Sequence, residues 1–379
     1  MATDYAQQAR TLPAEPVSAA AEGDSVTARL FRNLGQSHIP GLDGMRAIAV
    51  FLVIFYHFGF AWVPGGNGVT MFFVISGLLI TWLLLLENEK RGKISLAAFY
   101  RRRVFRIFPA FYCYWVLLIG LLLIAHKFIV WPQAISSLFY LTNYYNALHG
   151  DPNTDLSHTW SLAIEEQFYL LWPMIFIALR HDLRKMSIFL ACLIAAVSLY
   201  RWLLFFVFHV NQGYFYAAFD TRMDSLMVGC LLAVLLRRRV LLPLWSAICS
   251  SGLFPLATVL LFAVSTYFAS TVPRYRDVVG FTIDPLLIGI FIVQMIYFSS
   301  DSIGQWLEWR WVRFLGKISY SLYLYQQLTL SVVDKRIANL PLPLQVLIAV
   351  GVTIAVASLS YYLIEQPFLK LKTKRAHAD

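Results

Sequence analysis

Residues 44–63 read GMRAIAVFLVIFYHFGFAWV. Twenty residues of helix at 1.5 Å each reach about 30 Å, the thickness of a bilayer's hydrocarbon. No proline interrupts the run, and its two basic side chains, Arg46 and His57, are isolated among apolar ones. The stretch therefore reads as a membrane-crossing helix. The whole chain agrees with it. Of 379 residues, 59% are hydrophobic and only 14% charged, against roughly 25% charged in a soluble domain. Too few polar residues exist to wet a water-facing surface of this size, which excludes soluble multidomain, disordered and collagen-like chains. Cys113, Cys192, Cys230 and Cys249 form no CxxC pair, so neither a zinc site nor a disulfide framework is indicated, and no metal is expected. They read as small buried apolar residues.

Similar apolar runs recur at 68–86, 107–125, 159–179, 186–208, 215–236, 250–270, 279–299, 311–333 and 343–364. With 44–63 they predict an all-α polytopic membrane protein, a bundle of about ten transmembrane helices. The segment 133–148, QAISSLFYLTNYYNAL, is too short and polar to cross and is expected along the interface. Placing the N-terminus inside puts most of the 31 Lys and Arg on the cytoplasmic side. The outer loops keep only Lys127, Arg274, Arg276, Lys335 and Arg336. That bias predicts both termini cytoplasmic, in a plasma or inner membrane. Residues 1–43, polar and without an apolar signal core, read as a disordered cytoplasmic leader rather than a signal peptide. Residues 44–364 then form the transmembrane domain, and 365–379 a short basic tail ending the chain. The net charge of +10 reflects this topology and contact with anionic membrane lipids. No basic soluble domain is present to bind nucleic acid.

In lipid, the informative side chains are the polar ones at depth, because burying them is costly unless they are paired. Arg46 and His57 are 11 residues apart, close to three full turns, so they share a helix face about 16 Å apart along the axis. Asp43 is positioned to pair with Arg46. The plain alternative is a snorkelling Arg and a His bonded to a carbonyl. In GGNGVTMFFVISGLL, 65–79, the glycines and Ser76 permit close helix approach, while Asn67 and Ser76 can also bond the His57 helix or a substrate. FYRRRVFRIFP, 99–109, places Arg103 and Arg106 on one face, serving either as positive-inside anchors or as a phosphate grip. HTWSLAIEEQFYLLWP, 158–173, aligns His158, Ser161 and Glu165, with Glu166 about 100° away. FDTRMDSLMVG, 219–229, aligns Asp220 with Asp224 and turns Arg222 elsewhere, as a partner for Glu165 or Glu166 in a buried ion network. Tyr320, Tyr323 and Tyr325 read as core or belt first, and as cavity lining second. Walker, GxSxG and HExxH patterns are absent. Asp151-x-Asn153-x-Asp155 begins like a calcium loop but has Leu156 and Leu162 where Gly and Glu are required.

The segments GLDGMRAIAVFLVIFYH, FFVISGLLI, FYRRRVFRIFPAFY, HTWSLAIEEQFYLLWP, FDTRMDSLMVGCLLA, GKISYSLYLYQ and YYLIEQPF occur in that order. Together, over about residues 41–370, they resemble the acyltransferase family 3 membrane proteins. The resemblance implies a ten-helix O-acyltransferase. Its co-substrate would be cytoplasmic acyl-CoA, most often acetyl-CoA, and its acceptor a hydroxyl of a polysaccharide or a lipid-linked sugar such as lipopolysaccharide. It also implies His57 as catalytic base and places Arg46, Arg103 and Arg106 at the CoA side. Glu165, Arg222 and Asp224 match further motif positions. The family often carries His after the YLY triplet, where this chain has Gln326, which concentrates the histidine chemistry on His57.

Acyl transfer needs a base for the alcohol, donors for the oxyanion and a dry meeting place. His57 is the base expected, with Glu165 or Glu166 orienting it as a carboxylate does in a triad. CoA phosphates are expected on Arg103, Arg106 and Arg46, with the acyl arm pointing towards His57. The acceptor is expected near His158 and the 126–157 loop, with Ser161 and Tyr323 in the same polar network. The rival readings are a proton-coupled transporter, since embedded Arg, His and acids also mark ion pathways, and an acyltransferase of the same family acting on a small acceptor such as a macrolide.

Overall fold

The computed structural model describes residues 26–36, 38–179 and 182–375. Among them there is no strand. Each apolar run predicted from sequence coincides with a helix, and these ten are labelled in chain order. They are α1 Leu42–His57, α2 Gly65–Arg91, α3 Leu96–Ile124, α4 Trp160–Ala178 and α5 Leu183–Phe206. After them come α6 Phe219–Arg237, α7 Leu253–Thr271, α8 Phe281–Tyr297, α9 Ser319–Ile337 and α10 Leu342–Ser360. By length and composition six are long and apolar enough to cross a membrane: α2, α3, α5, α7, α8 with its flanking turns, and α10 with its extension to Lys370. The other four, α1, α4, α6 and α9, are short or carry the charged residues singled out above. The described chain is thus all-helical, a multi-pass membrane protein whose polar residues are spread over both groups of helices, with Ser76 on α2 and Arg103 and Arg106 on α3.

The centre of the bundle is α2, which packs along α6 and α1; α6 also packs on α5, and α9 on α10 and α1. Glycine makes the α2–α6 contact possible. A Cβ on Gly77 would lie 1.9 Å from the Leu226 carbonyl oxygen, and one on Gly229 would lie 2.1 Å from that of Val74. Backbone therefore touches backbone, as small residues allow between membrane helices. α7 and α10 are largely exposed along their lengths, as helices facing lipid should be.

Three boundaries differ from the sequence reading. Within the leader expected to be disordered, Val26–Leu34 is a helix with Leu30 and Leu34 buried. Arg29 pairs with Asp301 at 2.6 Å, and Asn33 donates to the Ile296 carbonyl at 2.8 Å. Its apolar face is too short to register as a span but wide enough to dock. Residues 1–25 and 376–379 lie outside the described residues. At the other end α10 does not stop at 364 but passes through a π-helical turn, Tyr361–Glu365, into a helix over Gln366–Arg375.

The third difference is 133–148, expected along the interface. It forms two short helices, Trp131–Leu138 and Thr142–His149, whose Gln133, Asn143 and Asn146 are buried. Gln133 donates to Asn146 at 3.0 Å and accepts from Thr154 at 2.5 Å, while Asn146 donates to the Ser157 carbonyl at 3.2 Å. Buried amides are stable when they are hydrogen-bonded inside the protein, and these satisfy one another.

Candidate active site

A cavity of about 50 Å³ opens where α1, α2, α3, α4 and α9 converge. Its lining includes Arg46, Ser76, Arg103, Arg106, Glu165, Glu166, Tyr169 and Tyr320. The helical phase of each element explains the gathering. Arg46 lies one turn into α1, Ser76 near the middle of α2, Arg103 and Arg106 one turn apart on α3, and Glu165 one turn into α4. Three guanidinium groups and two carboxyl groups therefore share one small space.

The arginines of this stretch face two ways. Arg102 pairs with Glu87 at 2.6 Å. Arg103 turns inward, its guanidinium 4.5 Å from the Tyr169 ring centre, and lines the cavity with Arg106. Glu165 is held by Ser76 Oγ at 3.0 Å and by the Tyr169 hydroxyl at 3.2 Å.

His57 ends α1 on the exposed surface of the bundle and is not among the cavity's lining residues. Its Nδ1 lies 2.9 Å from the Val53 carbonyl. A carbonyl only accepts, so Nδ1 carries a proton, and in the neutral form of the ring Nε2 is the bare lone pair. Asp151 and His158 lie within electrostatic reach of the ring.

Several expected partnerships are replaced. No described bond joins His57 to Glu165 or Glu166; α4 begins near His57, with His158 in reach of its ring, and one turn further on its carboxylates line the arginine cavity. Asp43 does not pair with Arg46: its Oδ2 faces His38 Nδ1 at 3.9 Å, while Arg46 turns into the cavity. Asn67 donates to Thr266 on α7 at 3.2 Å, not to the His57 helix. Arg222 meets neither glutamate. It donates to Thr70 Oγ1 at 3.0 Å and lies 3.9 Å from the centre of the Phe281 ring. Asp224 binds Arg201 at 2.6 Å with both side chains buried, and Asp220 accepts from the Tyr144 and Tyr214 hydroxyls, each at 3.0 Å.

The HTWS segment holds together as a buried cluster. His158 Nε2 lies 3.1 Å from the Leu324 carbonyl. Tyr323 joins Ser161 at 2.5 Å and donates to the His158 carbonyl at 2.9 Å. Sequence reading missed three residues here. Glu365 is buried and accepts from Ser321, within electrostatic reach of Arg46 and Arg106; the π-helical turn rotates it inward. Arg201 had a signal, a lone charge amid an apolar run. Tyr169 had none, being one tyrosine among 20. Among the described residues no group of His, Cys, Asp or Glu is arranged to hold a metal ion.

A family model described as an acyltransferase domain matches residues 39–362. The O-acetyltransferase OatA of Staphylococcus aureus is 33% identical over 368 residues, covering 90% of this chain and 59% of that protein. The putative peptidoglycan O-acetyltransferase YrhL of Bacillus subtilis is 34% identical over 362 residues, 87% of this chain and 55% of its own length. The chain therefore spans under two thirds of these relatives. No solved structure matches it. Relatives named for acetyl transfer do not favour the transporter reading. The matched region contains every helix from α1 to α10, and with it the arginine cavity and His57: the chain belongs to the acyltransferase 3 family.

Proposed function

We propose that this protein is an integral membrane O-acyltransferase that moves an acetyl group from cytoplasmic acetyl-CoA to a sugar hydroxyl on the opposite face of the membrane. In this reading all ten helices cross, both termini are cytoplasmic, and the Arg46 end of α1 faces the cytoplasm. The acceptor is a glycan, and peptidoglycan is the first candidate because a relative bears that name. The observation that carries the proposal is the placement of an arginine-rich cavity and a histidine with a free Nε2 at opposite ends of one helix face, about 16 Å apart. One chain can then hold a phosphate-bearing donor on one side and deprotonate an alcohol on the other.

The cavity's size divides the donor. At about 50 Å³ it holds a few waters or a thin chain, since each water needs roughly 10–15 Å³. The nucleotide stays at the mouth on Arg103 and Arg106, and only the acyl-bearing arm enters. Glu165, fixed by Ser76 and Tyr169, keeps Arg46 and Arg103 oriented. Transfer requires a path from the cavity to His57 to open, because the ring is not among the cavity's lining residues. His57 Nε2 takes the acceptor's hydroxyl proton as its oxygen attacks the thioester carbonyl. The C–S bond breaks, and the proton passes to the departing thiolate, giving CoA and the ester.

Proteoliposomes loaded with glycan acceptor and supplied with radiolabelled acetyl-CoA outside test this reading. His57→Ala should abolish transfer, a loss of at least the roughly 10²–10⁴-fold that a general base contributes. Arg103→Ala and Arg106→Ala should raise KM for acetyl-CoA more than that for the acceptor. Full transfer by His57→Ala, or an acceptor effect alone in the arginine variants, would overturn it.

A further inference from the structure

Arg222 is 1% exposed, yet no described carboxylate lies within ion-pair distance of it. Its Nη2 donates to Thr70, while Nε and Nη1 have no hydrogen-bond partner. The nearest acids are otherwise engaged. Asp224 gives Oδ2 to Arg201 while its Oδ1 has no hydrogen-bond partner, and Asp284 accepts from Ser265 Oγ at 2.5 Å; both are within electrostatic reach of Arg222, but neither forms an ion pair with it. The Phe281 ring covers one face of the guanidinium at 3.9 Å. Stacking satisfies a face but not the edge, because the N–H groups point outward in the guanidinium plane. A buried cation whose in-plane donors are unmet is among the most costly arrangements a membrane interior can hold. A group that supplies planar negative charge removes that cost.

The surroundings say where such a group comes from. Tyr216, half-buried, has its ring centre 5.8 Å from the Arg222 guanidinium, and half-buried Asn67 neighbours Asp284, which is within electrostatic reach of Arg222. The Tyr216 ring meets Trp160 at 4.8 Å between centres and is within electrostatic reach of Tyr56, whose own ring is 5.5 Å from that of His57. An aromatic pair suits a sugar ring, and Tyr216 and Tyr56 link the site to the proposed base. We infer that Arg222 is the receptor for an anionic substituent, carboxylate or phosphate, carried by the sugar acceptor, and that it anchors that acceptor with a hydroxyl near His57. The inference rests on the acyltransferase reading for the acceptor's presence, but binding itself is measurable without donor.

The test is the unfolding temperature of the full-length protein in detergent, titrated with glucuronate, glucose 1-phosphate, glucose and inorganic phosphate. Ligand that binds only the folded state raises this temperature. Wild type should respond to glucuronate or glucose 1-phosphate, whichever carries the matching anion, and not to glucose. Arg222→Met should lose the response while unfolding at the wild-type temperature or above, because an unpaired buried charge has been removed. Arg222→Lys keeps the charge but not the planar fork, and should weaken binding about tenfold or more. An equal response to glucose, or a response retained in Arg222→Met, overturns the inference. So does a full shift with inorganic phosphate or chloride, which marks an adventitious ion only. An Arg222→Met protein that unfolds early and is restored by Arg222→Lys without binding the sugar overturns it too, since that pattern belongs to a structural arginine. Donor-dependent transfer measured in parallel on wild type reads the acyltransferase proposal separately.

Discussion

Replacing Gly77 with alanine should pry apart the two helices at the centre of the bundle. The new methyl would lie 1.9 Å from the Leu226 carbonyl oxygen and 2.8 Å from its carbon. Ordinary contact begins near 3.4 Å, so α2 and α6 must separate by about 1.5 Å at this point. Both obstacles are backbone, which cannot swing aside as a side chain does. A gap of only 0.5–1 Å already forfeits roughly a quarter to a half of each dispersion contact. The loss spreads to Val74, Leu78, Leu226 and Cys230, all buried along this contact. Overpacking of this kind costs about 1–3 kcal/mol or more, and the helix preference of alanine returns only about 0.5–1 kcal/mol. The net is a destabilisation of about 2 kcal/mol, or roughly 4 °C in the apparent Tm of a large domain. Activity should fall with it, since α2 also carries Ser76 to Glu165 and Thr70 to Arg222. Gly120 is the control: it lies one turn before the end of α3, and a Cβ there meets nothing within 4 Å. Gly120→Ala should therefore leave Tm unchanged or raise it slightly. Thermal unfolding in detergent decides the matter, and equal Tm values for Gly77→Ala and Gly120→Ala would refute the reasoning.

The Arg201–Asp224 pair, wholly buried at 2.6 Å, should behave asymmetrically. Arg201→Met or Asp224→Leu alone should cost about 3–5 kcal/mol by stranding the other charge, and the double variant much less than the sum; a double-mutant cycle on Tm that proves additive contradicts this. His38 lies outside the expected spans, where burial holds its imidazole below the usual range despite Asp43 and Glu308. The unfolded chain then binds this proton more readily than the folded one. Stability from this residue is present above the ordinary histidine pKa of about 6.5 and declines as the pH falls below it. Tm measured from pH 8 to 5 should show that decline, flattened in His38→Asn; an unchanged slope in the variant would locate the effect elsewhere.

Hydropathy located apolar runs that are helical in the structure, six of them in helices long and apolar enough to cross a membrane. Of the cavity's polar lining, motif spacing singled out Arg46, Ser76, Arg103, Arg106, Glu165 and Glu166, read Tyr320 first as core or belt, and passed over Tyr169. It did less well on who partners whom. Arg222 was expected beside Glu165 or Glu166 and instead meets Thr70 and Phe281; Asp224, expected in the same network, meets Arg201. Glu365 went unremarked because its inward turn depends on a π-helical segment, which no residue pattern announces.

The sequence by itself determined that this chain lives in lipid and which of its side chains are polar at depth. Both follow from local quantities: the length of an apolar run, the period of a helix and the cost of burying a charge. Only the tertiary structure decided which helix face meets which. That choice turns on backbone contact at Gly77 and Gly229 and on the rotation of α4 towards Arg46, and a partner across the bundle leaves no mark on its own stretch of chain. The arginine cavity and His57 thus share one helix yet not one space, and Arg222 is left with Nε and Nη1 without a hydrogen-bond partner.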